Sequence, residues 1–209
     1  MPIQEPGAGR SSVPGASRRR ILEQARSHFF THGFRRVTMN DLATALAMSK
    51  KTLYAHFSSK TELVEAVLRD RLQHLEADLD RLASAPSGDL IQELHRSLEC
   101  VRRHMGEVRP PFVRDIRREA PELFRLVEDR HRDMSLRTFG RILEEGRRKG
   151  IIRRDIPTRL IVEILLGAVQ AIVDPARMEE LDLTPKTAFK TVVAVILEGV
   201  VTERGKVKP

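Results

Sequence analysis

Residues 38–60 read TMNDLATALAMSKKTLYAHFSSK, and two short helices joined by a tight turn account for nearly every residue in that stretch. Thr38 is placed to cap the first helix, with Asp41 three residues on in the position where a capping box normally carries Glu or Gln. Leu42, Ala43 and Leu46 give this helix an apolar face. Met48 and Ser49 make the turn, and Ser49 caps a second helix from about Lys50 to His56. Leu53 and Phe57 lie one turn apart and face inward. Lys50, Lys51, Thr52, Tyr54 and His56 are left on the outer side.

That outer side has the chemistry of a DNA reader. In a helix–turn–helix the second helix enters the major groove, where base edges present distinguishable donor and acceptor patterns. A lysine can bond guanine O6 or N7, and a threonine methyl can touch the thymine methyl. Helix N-termini and hydroxyls suit phosphate oxygens, which makes Thr38 and Ser49 anchors for the backbone. Lys60, just past the second helix, can hold a phosphate as a point charge. The Arg18–Arg19–Arg20 run, read as flexible, can reach the backbone or an adjacent minor groove. Each position also has a plainer reading: Tyr54 as a core aromatic, His56 as a surface histidine, Lys50 and Lys51 as solvated charges.

Outward from this segment the chain reads as helices throughout. Residues 1–16, rich in Pro, Gly and Ser, have the composition of a disordered arm. Ile21, Leu22, Ala25, Phe29 and Phe30 carry a helical period from Ser17 that Gly33 stops. Ser58–Ser59 opens a long helix whose stripe (Leu63, Val67, Leu68, Leu72, Leu75, Leu79, Leu82) runs to Pro86–Gly88. Further helices are expected at about 89–105, 109–118, 121–148, 157–174 and 184–203, bounded by Gly and Pro. No period-two strand is convincing. The expected fold is all-α: a disordered arm over 1–16, a helix–turn–helix domain over 17–62, and a larger helical domain over 63–205.

The charge distribution points the same way. The formal net charge is +8, but residues 1–60 hold ten Arg/Lys against three Asp/Glu, while the remaining 149 residues are nearly balanced at 27 against 26. A basic quarter on a near-neutral body suits a polyanion-binding module; a solvated basic surface and a membrane-surface patch are the alternatives. No apolar run reaches the roughly 18–20 residues that span a bilayer, and no secretory signal is visible. The single cysteine, Cys100, forbids an intramolecular disulfide and suits a reducing cytoplasm.

At these residues the sequence resembles the TetR family of bacterial transcriptional regulators. The family pattern is matched by Thr38, Leu42-Ala43, Leu46-Ala47-Met48-Ser49, Leu53-Tyr54-Ala55-His56-Phe57, Lys60 and Leu63. The preceding Phe29-Phe30-Thr31-His32-Gly33-Phe34 also fits, and the match spans about residues 18–68. Ala47 stands where the turn usually has glycine, and Lys51 where the recognition helix often has glycine. Alanine is acceptable there if the backbone avoids positive φ; Lys51 is expected to alter sequence preference. The resemblance implies a homodimer on a palindromic double-stranded DNA operator, its half-sites roughly 34–36 Å apart, released by a small-molecule effector bound in the larger domain. The broad apolar faces at 157–174 (Leu160, Ile161, Ile164, Leu165, Ala168, Val169, Ile172) and 184–203 (Phe189, Val192, Val193, Ile196, Leu197, Val200) suit either buried core or the dimer interface. The family's use of these helices for pairing favours the interface.

The effector leaves no comparable signature. His95, Cys100, His104, Phe112, Phe124, Met134 and Phe139 lie in the right region, but a pocket requires convergence that spacing does not supply. Cys100 reads as a buried inert thiol ahead of a redox sensor. His28 and His32 are spaced as a metal pair but lack a third ligand. No metal site and no cofactor are expected. No G-x-S-x-G, P-loop, H-E-x-x-H or paired-cysteine motif is present, so catalysis is not expected. The competing non-enzymatic readings are a sequence-indifferent architectural DNA binder, and a regulator of the same fold that activates transcription or answers to a protein partner.

Overall fold

In the computed structural model, which describes residues 14–85, 89–172 and 174–202, helices follow the sequence pattern closely. They are α1 (Pro14–His32), α2 (Met39–Ala45), α3 (Lys50–His56), α4 (Lys60–Ser84), α5 (Leu90–Gly106), α6 (Pro110–Glu119), α7 (Pro121–Arg148), α8 (Thr158–Ile172), α9 (Pro175–Glu180) and α10 (Pro185–Val200). Among the described residues there is no strand. A lone antiparallel bridge joins Ile152 to Val201, where the chain leaving α10 doubles back against the α7–α8 loop and Thr202 N–H donates to Ile151 O at 2.9 Å. Two expectations need correcting. Pro175 does not merely end α8: it opens the short helix α9, because a proline is tolerated at a helix's first position, where its missing N–H costs nothing. Of the arm expected to be disordered, residues 1–13 lie outside the described residues, but the last three open α1. Residues 86–88, expected as the turn after α4, also lie outside.

The helices enclose two principal cores joined by a smaller one. The first gathers Phe29, Leu42, Leu46, Leu53 and Phe57 with Leu63, Val64 and Val67 of α4. Burying each such side chain contributes roughly 1.5–3 kcal/mol. Phe112 and Ile116 of α6 and Leu123 of α7 enter the same core, so it extends past the boundary expected at residues 62–63. The second core packs α5, α7, α8 and α10 through Leu94, Leu98, Phe139, Leu143, Ile161, Val162 and Val193. Between them Leu75, Leu79, Cys100 and Met134 join α4 to α5 and α7. Ion pairs brace the same three helices: Arg141 with the buried Glu93, and Arg137 with Glu76 at 2.5 Å. Helix α4 thus runs from the first core to the junction without a break.

Candidate DNA-contacting surface

The local folding of the reading segment rests on three side-chain caps. Thr38 Oγ1 accepts from the Asp41 N–H at 3.2 Å, and the Asp41 carboxylate accepts from the Thr38 N–H at 2.9 Å. The box is therefore complete with aspartate in the glutamate position. The hydroxyl and N–H of Thr38 hold the Asp41 carboxyl below its ordinary pKa. Ser49 caps α3 by accepting from the Thr52 N–H at 3.0 Å, and its hydroxyl also pairs with that of Thr52 at 2.8 Å. Ser59 caps α4 through the Glu62 N–H. Replacing such a cap by alanine typically costs about 1 kcal/mol.

The turn between α2 and α3 departs from expectation. Ala47 sits at φ 51°, in the left-handed region, so the condition for accepting alanine there is not met. The reason lies in the hydrogen bonding. Met48 N–H donates back to Ala43 O and Ala47 N–H to Thr44 O, both at 3.0 Å, which is a Schellman ending that needs a left-handed residue just past the helix. The geometry of the turn is retained, and alanine bears the strain that glycine would not.

Beyond the turn, α3 separates its faces cleanly. Leu53 and Phe57 are buried, whereas Lys50, Lys51, Thr52 and Tyr54 are exposed. Tyr54, 49% exposed, is the large hydrophobic side chain that α3 leaves on the surface. His56 is half-buried. A shallow cleft on this face is lined by Thr38, Met39, Asn40, Lys50, Tyr54 and Lys60. It unites four of the residues expected to meet DNA and adds Met39 and Asn40 at the start of α2. Asn40, exposed and carrying an amide, was visible in the sequence as a polar residue in the first turn of a capped helix.

Lys60 and the arginine run are more engaged with the protein than expected. Lys60 Nζ donates to Phe34 O at 3.0 Å and Val37 O at 3.3 Å, and lies 4.3 Å from the Phe34 ring centroid. Burial lowers its pKa. Two of its three ammonium hydrogens thus tie α4 to the α1–α2 connection, and one remains for an external acceptor. Arg18, Arg19 and Arg20 are not a flexible run: they project from α1. Arg20 donates to Leu46 O at 3.0 Å, Arg19 pairs with Glu23, and the Arg18 guanidinium lies 5.1 Å from the Phe57 ring centroid. Because the helix begins before them, their reach is that of helical side chains.

The effector candidates disperse. Phe112 packs on Phe30, ring centroids 5.0 Å apart, inside the reading-head core. Phe124 lies under Arg117. His95 is exposed and bonded to Ile91 O. Phe139 lines a narrow apolar void with Leu94, Leu98, Ile161 and Val193. Cys100 is fully buried; burial and the Asp78 carboxylate raise its thiol pKa, which opposes the thiolate a redox sensor needs. His28 and His32 pack edge to face, with His28 bonded to Gln24.

The profile of the bacterial regulatory proteins of the tetR family matches residues 21–67, the span from the core residues of α1 through the first turns of α4. Over that span the chain is similar to the TetR family. It is 27% identical to the helix–turn–helix regulator UidR of Escherichia coli over 191 residues, covering 89% of this chain and 93% of that one. It is 28% identical to the repressor KstR2 of Mycolicibacterium smegmatis over 159 residues, 74% of this chain and 76% of that one. A TetR-family regulator from Agrobacterium tumefaciens superposes with a TM-score of 0.70 at 19% identity, covering 91% of this chain and all of that one. Both curated relatives are named as helix–turn–helix transcriptional regulators. No helix among the described residues is long and apolar enough to cross a membrane.

Proposed function

We propose that this protein is a cytoplasmic repressor of the TetR family that grips a palindromic operator as a homodimer and lets go when a small molecule binds its larger domain. The observation that carries the reading is the exposed row Lys50, Lys51, Thr52 and Tyr54 on a helix whose other side is sealed by Leu53 and Phe57. In this reading Lys50, Lys51, Thr52, Tyr54 and His56 meet bases and nearby phosphates. Thr38, Ser49 and the free hydrogen of Lys60 meet the backbone, and Arg18, Arg19 and Arg20 add positive field. The KstR2 relative is a repressor by name, which supports repression over activation.

Pairing falls to α8 and α10. Leu160 and Ile164 on α8 are each about half exposed, and Val195 on α10 is 66% exposed, an apolar cost that a second copy would remove. Of the apolar residues named on α10, Phe189, Val192, Val193 and Val200 face the protomer's own core, and Ile196 and Leu197 are half-buried. The outward apolar group is Val195.

Effector control has a ready path. Helices α4 and α7 both enter the reading-head core and also the junction with the larger domain, so a ligand that shifts either one changes the spacing of the two heads. Such a ligand acts only through its preference between the two arrangements.

The test is retention of the DNA upstream of the protein's own gene. Specific binding at physiological salt, lost on Lys50→Ala or Tyr54→Ala, is the expected result. Equal affinity for unrelated sequences with a steep salt dependence would instead identify an architectural binder.

A further inference from the structure

In the larger domain, three side chains of different chemistry meet between α4 and α5. Asp78 projects from α4, and Cys100 and His104 project from α5 one turn apart. One donor atom from each lies within 4.8 Å of the others. Cys100 is wholly buried, and the His104 side chain is 12% exposed. His104 Nε2 stands 3.0 Å from Asp78 Oδ2. Its other ring nitrogen, Nδ1, is sealed from solvent with no hydrogen-bond partner among the described residues. An α4–α5 clamp would need only the Asp–His bond. It would not need a thiol in the cluster.

We propose that Asp78, Cys100 and His104 form a binding site for a borderline divalent cation of the zinc or cobalt class. The donor set is one sulfur, one nitrogen and one oxygen, which suits these ions and disfavours magnesium or calcium, whose ligands are oxygens. Zinc bonds of 2.0–2.3 Å put neighbouring donors of a tetrahedron roughly 3.5 Å apart. Side-chain movements of about an ångström therefore close the cluster around an ion. Three protein ligands leave a fourth position for water or another small ligand.

The surroundings hold the donors in place. Arg81 donates to Asp78 Oδ1 at 2.8 Å and leaves Oδ2 turned inward. Arg71, itself buried, donates to the backbone O of His104 at 2.7 Å and fixes that turn of α5. Hydrogen bonds of this kind orient ligating groups in metal sites. Uptake exchanges one proton for one metal–sulfur bond: the Cys100 thiol gives its proton to solvent as its sulfur joins the cation. The resulting thiolate and the Asp78 carboxylate balance the ion's two charges. The site does not depend on the regulatory reading; that reading would make the cation a tie between α5 and the helix that carries the reading head.

The experiment is a Co2+ titration of the reduced, metal-stripped full chain, followed by absorbance. Cys100 is the chain's one cysteine, so a thiolate-to-cobalt charge-transfer band in the near ultraviolet can come only from this residue. The expected result is that band at one equivalent, with visible bands of four-coordinate cobalt, both bleached by Zn2+. Cys100→Ser should abolish the charge-transfer band. Asp78→Asn, at a partly exposed position and so mild for the fold, should weaken Co2+ binding by more than about tenfold, as should His104→Gln. Circular dichroism on each variant checks the helix content. Absence of the band at excess Co2+, or unchanged Co2+ affinity in a folded Asp78→Asn protein, overturns the proposal.

Discussion

The carboxylate of Asp115, on α6, occupies the space where any side chain on Gly33 would begin. A Cβ built on Gly33 would lie 2.7 Å from Asp115 Oδ2. The same oxygen accepts the Arg35 N–H at 2.9 Å. The glycine has φ 89°, a conformation that L side chains rarely adopt. It ends α1 by donating its N–H to Phe29 O and so lets α6 dock on the connection leading into the reading head. Gly33→Ala is therefore expected to combine backbone strain with displacement of the carboxylate. The cost is about 2 kcal/mol or more, seen as a Tm lower by roughly 4–8 °C. Asp115→Ala removes the acceptor without the strain and should cost less. Equal melting of wild type and Gly33→Ala would show that α6 is not held there.

Ala47 offers the opposite case. It adopts φ 51° in a helix ending that favours glycine. Ala47→Gly relieves the strain and gives back part of it as unfolded-chain entropy. A net gain of about 0.5–1 kcal/mol is expected, with Tm up by roughly 1–4 °C. Because the turn's hydrogen bonds are already those of glycine, operator affinity should hardly change. Weaker binding by the glycine variant would mean that Ala47's methyl takes part in reading DNA.

The reading head was legible because its determinants are local. Thr38 pairs with Asp41 and Ser49 with Thr52, each three residues on along the chain, and capping chemistry and helical period describe both pairs. What pattern reading cannot reach is contact across the chain. The Lys60 bonds to Phe34 O and Val37 O span 26 and 23 residues, so a lysine that looks like a free phosphate anchor proves largely occupied. The Asp115–Arg35 bond spans 80 residues. On α10 the period gives an apolar stripe without saying whether it meets its own core or a second copy; Val193 does the first, while Val195 stays exposed. The Asp78–Cys100–His104 cluster is half legible. The four-residue step from Cys100 to His104 lies in the sequence, but Asp78 joins it only through the packing of α4 on α5.

Lys50 and Lys60 should separate DNA contact from folding. Lys50 is exposed on α3, so Lys50→Ala should leave the melting temperature within about 2 °C. It should lower operator affinity by about 1–3 kcal/mol if the lysine reads a base, or flatten the salt dependence by about one unit of slope if it meets a phosphate. Lys60→Met should act on stability first, since it strips two carbonyls of their donor at a cost of about 1–3 kcal/mol. Melting curves and salt-dependent fluorescence anisotropy on the same two variants give the comparison. A Lys60→Met protein as stable as wild type would contradict the bracing role.

Ile164 tests the proposed pairing surface. Its side chain is 49% exposed in the protomer, so Ile164→Glu should be harmless to the fold of one chain. At a dimer interface the same change would bury an unpaired carboxylate. The dimer should then weaken by at least about 2 kcal/mol, roughly thirtyfold in Kd. Sedimentation velocity should show a monomer at concentrations where the parent is dimeric, with operator affinity falling in parallel because two half-sites are no longer held together. An unchanged sedimentation coefficient would move the interface elsewhere.

His131, on α7, makes stability depend on pH with a definite sign. Burial first, then the neighbouring Arg71 and His104, lowers its pKa from 6.5 to about 4. The ring is therefore neutral in the folded protein, and its Nε2 has no hydrogen-bond partner among the described residues. In the unfolded chain the same ring takes up a proton near pH 6.5. Between about pH 6.5 and 4 the unfolded state thus holds one more proton than the folded state, and stability rises with pH across that window. Above it His131 contributes no further change. Acidification from pH 7 to 4 should remove up to about 3 kcal/mol through this residue. His131→Gln, uncharged throughout, should flatten the acid limb of the stability curve measured by urea unfolding. An acid limb of the same slope in the glutamine variant would assign the loss to other groups.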